Sequence, residues 1–397
     1  MDLVLIVVAP GQGAQSPGFL EPWLEDPDFA QRLGWLGTVA DLDLVHYGTK
    51  ADAETIRDTA IAQPLLVATG LVAALALFPH PADAFGKIGA VAGHSVGELT
   101  AAAGARAITA EQAMVLVRER GRAMARAAEA TPTGMTAVLG GDADEVLAVL
   151  ERHGLTPANV NAAGQVVAAG TTEQLQALAD DPPAKARLSP LSVAGAFHTE
   201  HMAPAVDVMA SLARGVSTHD ARIPVISNAD GTVVHDGRDV VRRIVRQVAN
   251  PVRWDLCQET MTDLGVTGIL EMPPAGTLTG IARRALKGVE TFALKTPDQL
   301  DDARAFCEKH GESAHLDTSP TWRLLVSPTK GTFVRAEGAG EAASFAPETS
   351  IGVVRARREE TPVNAPYGGS VVEWLVEDGD LVSPGQPLLR LHPDGVA

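Results

Sequence analysis

The residues best suited to chemistry stand in the run Gly93-His94-Ser95-Val96-Gly97. This G-x-S-x-G pattern lies between a short apolar run and a small-residue stretch of helical character. In that context a serine side chain projects from a sharp strand-to-helix turn. The glycines let the backbone bend without Cβ clashes. The Ser95 hydroxyl would then stand over a helix N-terminus, where unpaired N–H groups face developing negative charge. The Val96 amide is a natural oxyanion donor there. A Gly/Ser turn without chemistry is the alternative, and the flanking elements favour the nucleophile.

A serine hydroxyl is a weak nucleophile and needs a base. Among 11 histidines, His198 is the best candidate, because it lies in a Gly-Ala-Phe-His-Thr turn rather than on a helix face. Without Ser95 it would read equally well as a core histidine bonded to a carbonyl. His94 adjoins the serine, but its side chain should point away and orient the turn. Gly11-Gln12-Gly13-Ala14-Gln15 follows the first apolar run, at a carboxyl edge where α/β sites form. It matches neither the P-loop nor the dinucleotide fingerprint. The Gln12 amide therefore reads as a second oxyanion donor. Arg120 shares a helical face with Leu116, Val117 and Met124, which points it inward. A buried arginine needs an anionic partner. That partner is either a structural ion pair or a substrate carboxylate gripped by both arms of the guanidinium.

The elements that must position these residues alternate. Leu3 to Val8 reads as a fully buried, parallel strand. A polar, Pro-punctuated region follows, then a helix over Thr55–Phe78. Gly89–Gly93 is a short strand, Val96–Ala107 a helix and Thr109–Glu129 a long helix. The alternation predicts an α/β domain. From 132 to 193 the order becomes strand, helix, two strands, helix, strand, with the last strand at Arg187–Val193. That order is ferredoxin-like, so 132–193 reads as an inserted subdomain. The large domain, 1–131, resumes over 194–296 with strands at Ile223–Ser227 and Thr267–Glu271 and a helix at Val240–Val248. Residues 297–321 read as a helix, Asp298–His310, and a linker. Residues 322–393 read as short β segments with a weak internal repeat, a small all-β module.

Composition narrows the classes. The chain has 397 residues, 46% of them hydrophobic but only 4% aromatic, so Ala, Val and Leu must build its core. A net charge of −17 argues against nonspecific nucleic-acid binding and against anionic membranes. Cys257 and Cys307 lack CxxC spacing, which argues against a disulfide framework or a metal site and suits a reducing cytosol. The start lacks a basic n-region, so no secretory signal is expected. The apolar stretch Leu65–Phe78 is too short to cross a bilayer and suits a buried helix.

With these residues placed, positions 1–300 resemble the malonyl-CoA:acyl-carrier-protein transacylases of bacterial fatty-acid synthesis. The marks are Gly11 to Gln15, Gln63-Pro64, Gly93 to Glu98, Arg120-Gly121, Ala196-Phe197-His198, Ser227-Asn228, Gln247, Asn250-Pro251-Val252-Arg253-Trp254, and Gly276 to Gly280. The resemblance implies an α/β-hydrolase-like core with a ferredoxin-like insert. It implies an acylated Ser95, His198 as base, and Arg120 on the malonyl carboxylate. Oxyanion donors fall at Gln12 and Val96, and the main-chain carbonyl of Gln247 orients His198. Gln63 and Asn228 fall in the substrate site by the same likeness. Phe197, before the histidine, accompanies malonyl rather than methylmalonyl choice in related polyketide acyltransferases. The implied substrate is malonyl-CoA and the implied partner an acyl carrier protein bearing phosphopantetheine. No covalently bound cofactor or metal is expected, and a cytoplasmic monomer is. An acidic carrier could dock on Arg242, Arg243 and Arg246, or on Arg283, Arg284 and Lys287, although each group also reads as an ordinary solvated face.

Residues 322–392 resemble a biotinyl or lipoyl carrier module, from Ser327-Pro328 and Gly331-Thr332-Phe333 to Gly385-Gln386-Pro387-Leu388. In the place of the modified lysine stands Arg358, whose guanidinium stays protonated and is not nucleophilic. Lys330 lies in the module but outside that hairpin. Neither biotin nor lipoate is expected. The rival readings are a serine hydrolase or thioesterase, an idle interaction protein, and the same transfer in a polyketide pathway.

Overall fold

The computed structural model describes residues 3–193, 195–311, 322–336, 338–340, 343–356, 359–366 and 368–393. The chain divides into two compact units, 1–318 and 319–397.

In the first unit a six-stranded sheet runs in the order Glu290–Ala293, Val266–Glu271, Val4–Ala9, Ile88–Gly93, Val225–Ile226, Val233–Val234. The first five strands are parallel neighbours, and the last two form an antiparallel pair. Val4–Ala9 and Ile88–Gly93 are almost wholly buried, as apolar runs covered on both faces must be. Ala9 pairs with Gly93, so the turns after these two strands leave the same edge of the sheet side by side.

Helix Thr59–Leu77 packs against helices Pro27–Ala40, Gly97–Gly104 and Ala110–Glu129. Among the described residues it is the one helix with the length and apolarity of a membrane span, and nearly every residue of its first four turns is buried. The expected helix over Thr55–Phe78 is in fact broken. Thr55–Arg57 is a 3-10 turn, and Asp58 then caps the helix by accepting a hydrogen bond from the Ala60 amide. The polar, Pro-punctuated stretch also conceals a helix, Pro27–Ala40, capped by Asp26 with Pro27 at its first position, where proline is tolerated. Thr109 and Gln112 form a capping box that starts Ala110–Glu129.

Between 133 and 190 a second sheet carries strands in the order Ala186–Pro190, Thr133–Gly140, Gln165–Thr171, Thr156–Ala162, with Val252–Arg253 from later in the chain as a fifth. The first four pair antiparallel, and Val252 joins Asn159 in parallel. The strand expected to reach Val193 stops at Pro190, which lacks a ladder donor. The strand expected over Ile223–Ser227 shrinks to Val225–Ile226. Helix Leu300–His310, expected in the linker, belongs instead to the first unit's core. Ala303 and Cys307 are buried there, and Arg304 donates to the carbonyls of Ala76 and Leu77.

The second unit has two four-stranded sheets. One runs Arg323–Val326, Pro387–Pro393, Gly369–Trp374, Ser344–Phe345. The other runs Glu360–Asn364, Ser350–Arg355, Gly331–Arg335, Leu381–Val382. Its own apolar cluster includes Phe333, Ile351, Val354, Leu388, Leu389 and Leu391.

Candidate active site

Close approach explains the glycines of the elbow. A Cβ on Gly93 would collide with the Gly97 backbone, and one on Gly97 with the Ala9 carbonyl. The turn after the first strand is pressed against the elbow as well. A Cβ on Gly11 would lie 2.8 Å from the His94 carbonyl oxygen. Only bare backbone brings the two turns this near. Ser95 itself sits at φ 53° and His198 at φ 62°. Left-handed backbone at a non-glycine residue costs on the order of 1 kcal/mol, and such strain concentrates at functional sites.

Ser95 Oγ lies 2.7 Å from His198 Nε2. The other ring nitrogen, Nδ1, is 2.7 Å from the main-chain oxygen of Gln247. A carbonyl can only accept, so Nδ1 carries the proton and Nε2 offers a lone pair to the serine hydroxyl. Burial, and then the Arg120 charge, push His198 down to about 3. The imidazole is therefore neutral at ordinary pH.

Arg120 is fully buried. It reaches this spot because Gly121 lets its helix press on the start of Thr59–Leu77. A Cβ at Gly121 would lie 2.8 Å from the Thr59 carbonyl oxygen. Arg120 Nη1 donates to Gln63 Oε1 at 2.7 Å, and Nη2 donates to Gln247 Oε1 at 3.1 Å and to Ser95 Oγ at 3.3 Å. Of the two partners open to it, the structural ion pair is not found: among the described residues no carboxylate contacts this guanidinium, and its Nε has no partner. Desolvation lowers Arg120 to about 10, and Glu98 partly opposes that. A buried cation held by neutral glutamines can receive an anion beside the serine.

Asn228 Oδ1 accepts from the Ser95 amide at 2.8 Å, which ties the elbow down. His94 does point away: its Nε2 lies 2.9 Å from Asn161 Oδ1, and its ring meets Trp254 edge-on. Neither the Gln12 nor the Val96 amide donates to another group among the described residues, so both are free for a ligand. The Gln12 side chain donates to the Arg57 carbonyl and to Thr59. Phe197 is buried next to the histidine.

Ser95, His198, Arg120, Gln63, Asn228 and Gln247 are thus drawn together through hydrogen bonds. One residue entered the sequence reading only as a mark of the resemblance, with no role assigned. Glu98 is buried, with Oε1 accepting from the Asn228 amide at 2.7 Å and Oε2 from Gln247 Nε2 at 2.6 Å. The clue was a lone acid on the first turn of an otherwise small and apolar helix.

The docking cations are less free than their sequence suggests. Arg242 and Arg243 both bind Asp239, Arg243 also binds Asp230, Arg283 donates to Thr291, and Arg284 to Gln165. Arg246 and Lys287 are exposed.

A serine–histidine pair at a strand-to-helix turn, with a cation alongside, is an arrangement suited to acyl transfer. Residues 7–312 match the family of the acyl transferase domain. A malonyl CoA-acyl carrier protein transacylase of Mycolicibacterium smegmatis is 51% identical over 286 residues, covering 71% of this chain and 98% of that protein. The crystal structure of MCAT from Mycobacterium tuberculosis is 50% identical, with a TM-score of 0.73, covering 76% of this chain and 99% of that one. A type II polyketide-synthase acyl-carrier protein solved in complex with its malonyl-transacylase gives 29% identity and a TM-score of 0.71, over 76% of this chain and 99% of that one. The chain belongs to the family of malonyl CoA-acyl carrier protein transacylases.

Proposed function

We propose that this protein transfers a malonyl group from malonyl-CoA, through an ester on Ser95, to the phosphopantetheine thiol of an acyl carrier protein. The observation that carries the reading is one hydroxyl shared by a base and a buried cation: Ser95 Oγ is 2.7 Å from His198 Nε2 and 3.3 Å from Arg120 Nη2.

His198 takes the serine proton as the hydroxyl attacks the thioester carbonyl. The Gln12 and Val96 amides hold the tetrahedral oxyanion. The C–S bond breaks, and His198 returns the proton to the departing CoA thiol. The carrier's thiol then gives its proton to His198 and attacks the serine ester. That intermediate collapses, and the Ser95 oxygen recovers the proton. Arg120 holds the malonyl carboxylate throughout. Neutralising that guanidinium also removes the charge that weakens His198 as a base, so a carboxylated substrate strengthens its own catalyst. An acetyl group would leave the cation unpaired. By likeness to polyketide acyltransferases, buried Phe197 before the histidine supports malonyl over its 2-methyl relative.

We read the six-stranded unit as an α/β-hydrolase-like core, 1–131 and 194–296, extended by helix Leu300–His310. Residues 132–193 form a ferredoxin-like insert, whose outer four strands take the spatial order fourth, first, third, second. The second unit, 322–393, reads as a biotinyl-like module without biotin or lipoate, serving docking, spacing or stabilisation. Arg358, in the lysine's place, lies outside the described residues, and Lys330 is exposed on a turn. The carrier docks on exposed Arg246 or Lys287, and the enzyme acts as a cytoplasmic monomer in fatty-acid or polyketide synthesis.

Intact mass spectrometry after mixing with malonyl-CoA tests the reading. A single malonyl adduct, absent from Ser95→Ala and discharged by holo carrier protein, supports it. Steady release of malonate with no carrier present would make the protein a hydrolase instead.

A further inference from the structure

Resting on the transacylase reading, we propose that Glu98 is a positioning residue for acyl selectivity. Acting through the side-chain amide of Gln247, its carboxylate sets the orientation in which Arg120 receives the substrate's carboxylate.

An ionised carboxylate only accepts hydrogen bonds. Both Glu98 oxygens are taken, one by the Asn228 amide at 2.7 Å and one by Gln247 Nε2 at 2.6 Å. Gln247 must therefore turn its NH2 toward Glu98. That leaves Gln247 Oε1 facing Arg120 Nη2, at 3.1 Å. Asn228 Oδ1 reinforces the same orientation, since it lies 3.0 Å from Gln247 Nε2. Gln63 Oε1 holds the other arm. Two carbonyl oxygens thus grip the two terminal nitrogens and leave the remaining N–H groups for a ligand.

The charges around Glu98 fit this role. Arg243 and Arg120 are the nearby cations and Asp230 the nearby anion. Burial pushes the carboxyl up, to about 8, so the orienting carboxylate is complete above that value and the loading test belongs there. Glu98 is the carboxylate whose field reaches Arg120, one glutamine away.

A neutral glutamine at 98 breaks the chain of orientations. Its NH2 must face either the Asn228 N–H or the Gln247 NH2, a donor against a donor. The Asn228 group is backbone and cannot turn, so the clash falls on the Gln247 amide, which is pushed off Glu98 and no longer holds its oxygen against Arg120. Its main-chain oxygen, which His198 uses, is untouched. Glu98→Gln should therefore harm malonyl and spare acyl groups that make no use of Arg120.

The test is single-turnover loading of the full chain with malonyl-CoA and with acetyl-CoA, followed by intact mass. For Glu98→Gln the malonyl-to-acetyl ratio should fall about ten- to a hundredfold, the range of one charged hydrogen bond. Glu98→Asp, which keeps an acceptor on a shorter arm, should show a smaller fall in the same ratio. An unchanged ratio, or equal loss of both substrates, overturns the proposal. If Glu98→Gln does not fold, Glu98→Asp decides alone: a selective fall supports the proposal, and an unchanged ratio overturns it. A wild-type chain that takes up no malonyl counts against the transacylase reading itself, and that arm is read separately.

Discussion

Around Ser95 the first unit buries Gln63, Glu98, Arg120, His198, Asn228 and Gln247, none more than 3% exposed, whereas the second unit, among its described residues, buries one polar side chain, Ser327. Burying a charge or an amide is costly unless every donor and acceptor is met. The second unit relies mostly on aliphatic and aromatic packing and pairs its enclosed Arg390 with Glu373. The first accepts it in several places, Glu271 and Asp239 among them, and around Ser95 meets it with a set of hydrogen bonds about an arginine. The exception inside the set is Arg120 itself, whose Nε is left unmet. A polar network complete but for one cationic donor is organised for a ligand, while an apolar core is organised for stability.

The comparison breaks most visibly at that cation. Arg120→Met keeps the length of the side chain and removes its charge. Malonyl loading should fall about a hundredfold or more, the cost of losing a charge-assisted contact with a carboxylate. Acetyl loading should hold or rise, because the charge that depresses His198 is gone. Loading rates with the two thioesters measure both. A parallel fall in both would mean that Arg120 supports the fold rather than the substrate.

A smaller effect, on stability, follows from His198. An unfolded histidine titrates near 6.5, whereas the folded one is held at about 3. Between those values the unfolded chain binds a proton that the folded chain refuses. Stability from this group is therefore intact above pH 6.5 and is lost as pH falls toward 3, at up to about 1.4 kcal/mol per unit. His94 is depressed too and adds to the slope, while Glu98, raised to about 8, works the opposite way above its unfolded value. Comparing wild type with His198→Gln isolates the one term. Denaturant midpoints from pH 7 to pH 4 should drop more steeply in wild type. Parallel curves would mean that His198 is not buried neutral.

Sequence patterns exposed the site because its constraints are local. Gly93 and Gly97 flank Ser95 within one turn, and the reason for them, contact with each other and with Ala9, leaves no residue choice. Arg120 was readable from its helical face. The carbonyl partner of His198 was not: Gln247 lies far along the chain, and any residue could offer a main-chain oxygen, so only the resemblance located it. The role of Glu98 stayed hidden because its partners, Asn228 and Gln247, are brought in by tertiary folding. Helix Pro27–Ala40 was masked by prolines and polar residues that in fact cap and start it. Helix Leu300–His310 looked detachable because charged residues run along it, hiding the inward Ala303, Cys307 and His310.

The gentlest test leaves chemistry alone. Phe333 is fully buried at the centre of the second unit's cluster. Phe333→Ala should remove about 3–5 kcal/mol of that unit's stability, through lost transfer energy and the cavity left behind. Every residue placed in the site lies between Gln12 and Gln247, all within the first unit. Malonyl loading should therefore stay within about twofold of wild type, a difference worth less than 1 kcal/mol. Calorimetry of the full chain should show one transition moving down and the other staying in place. If loading falls in step with the weakened transition, the second core is not independent, and the contrast between a stabilising unit and a catalytic one gives way to a single cooperative molecule.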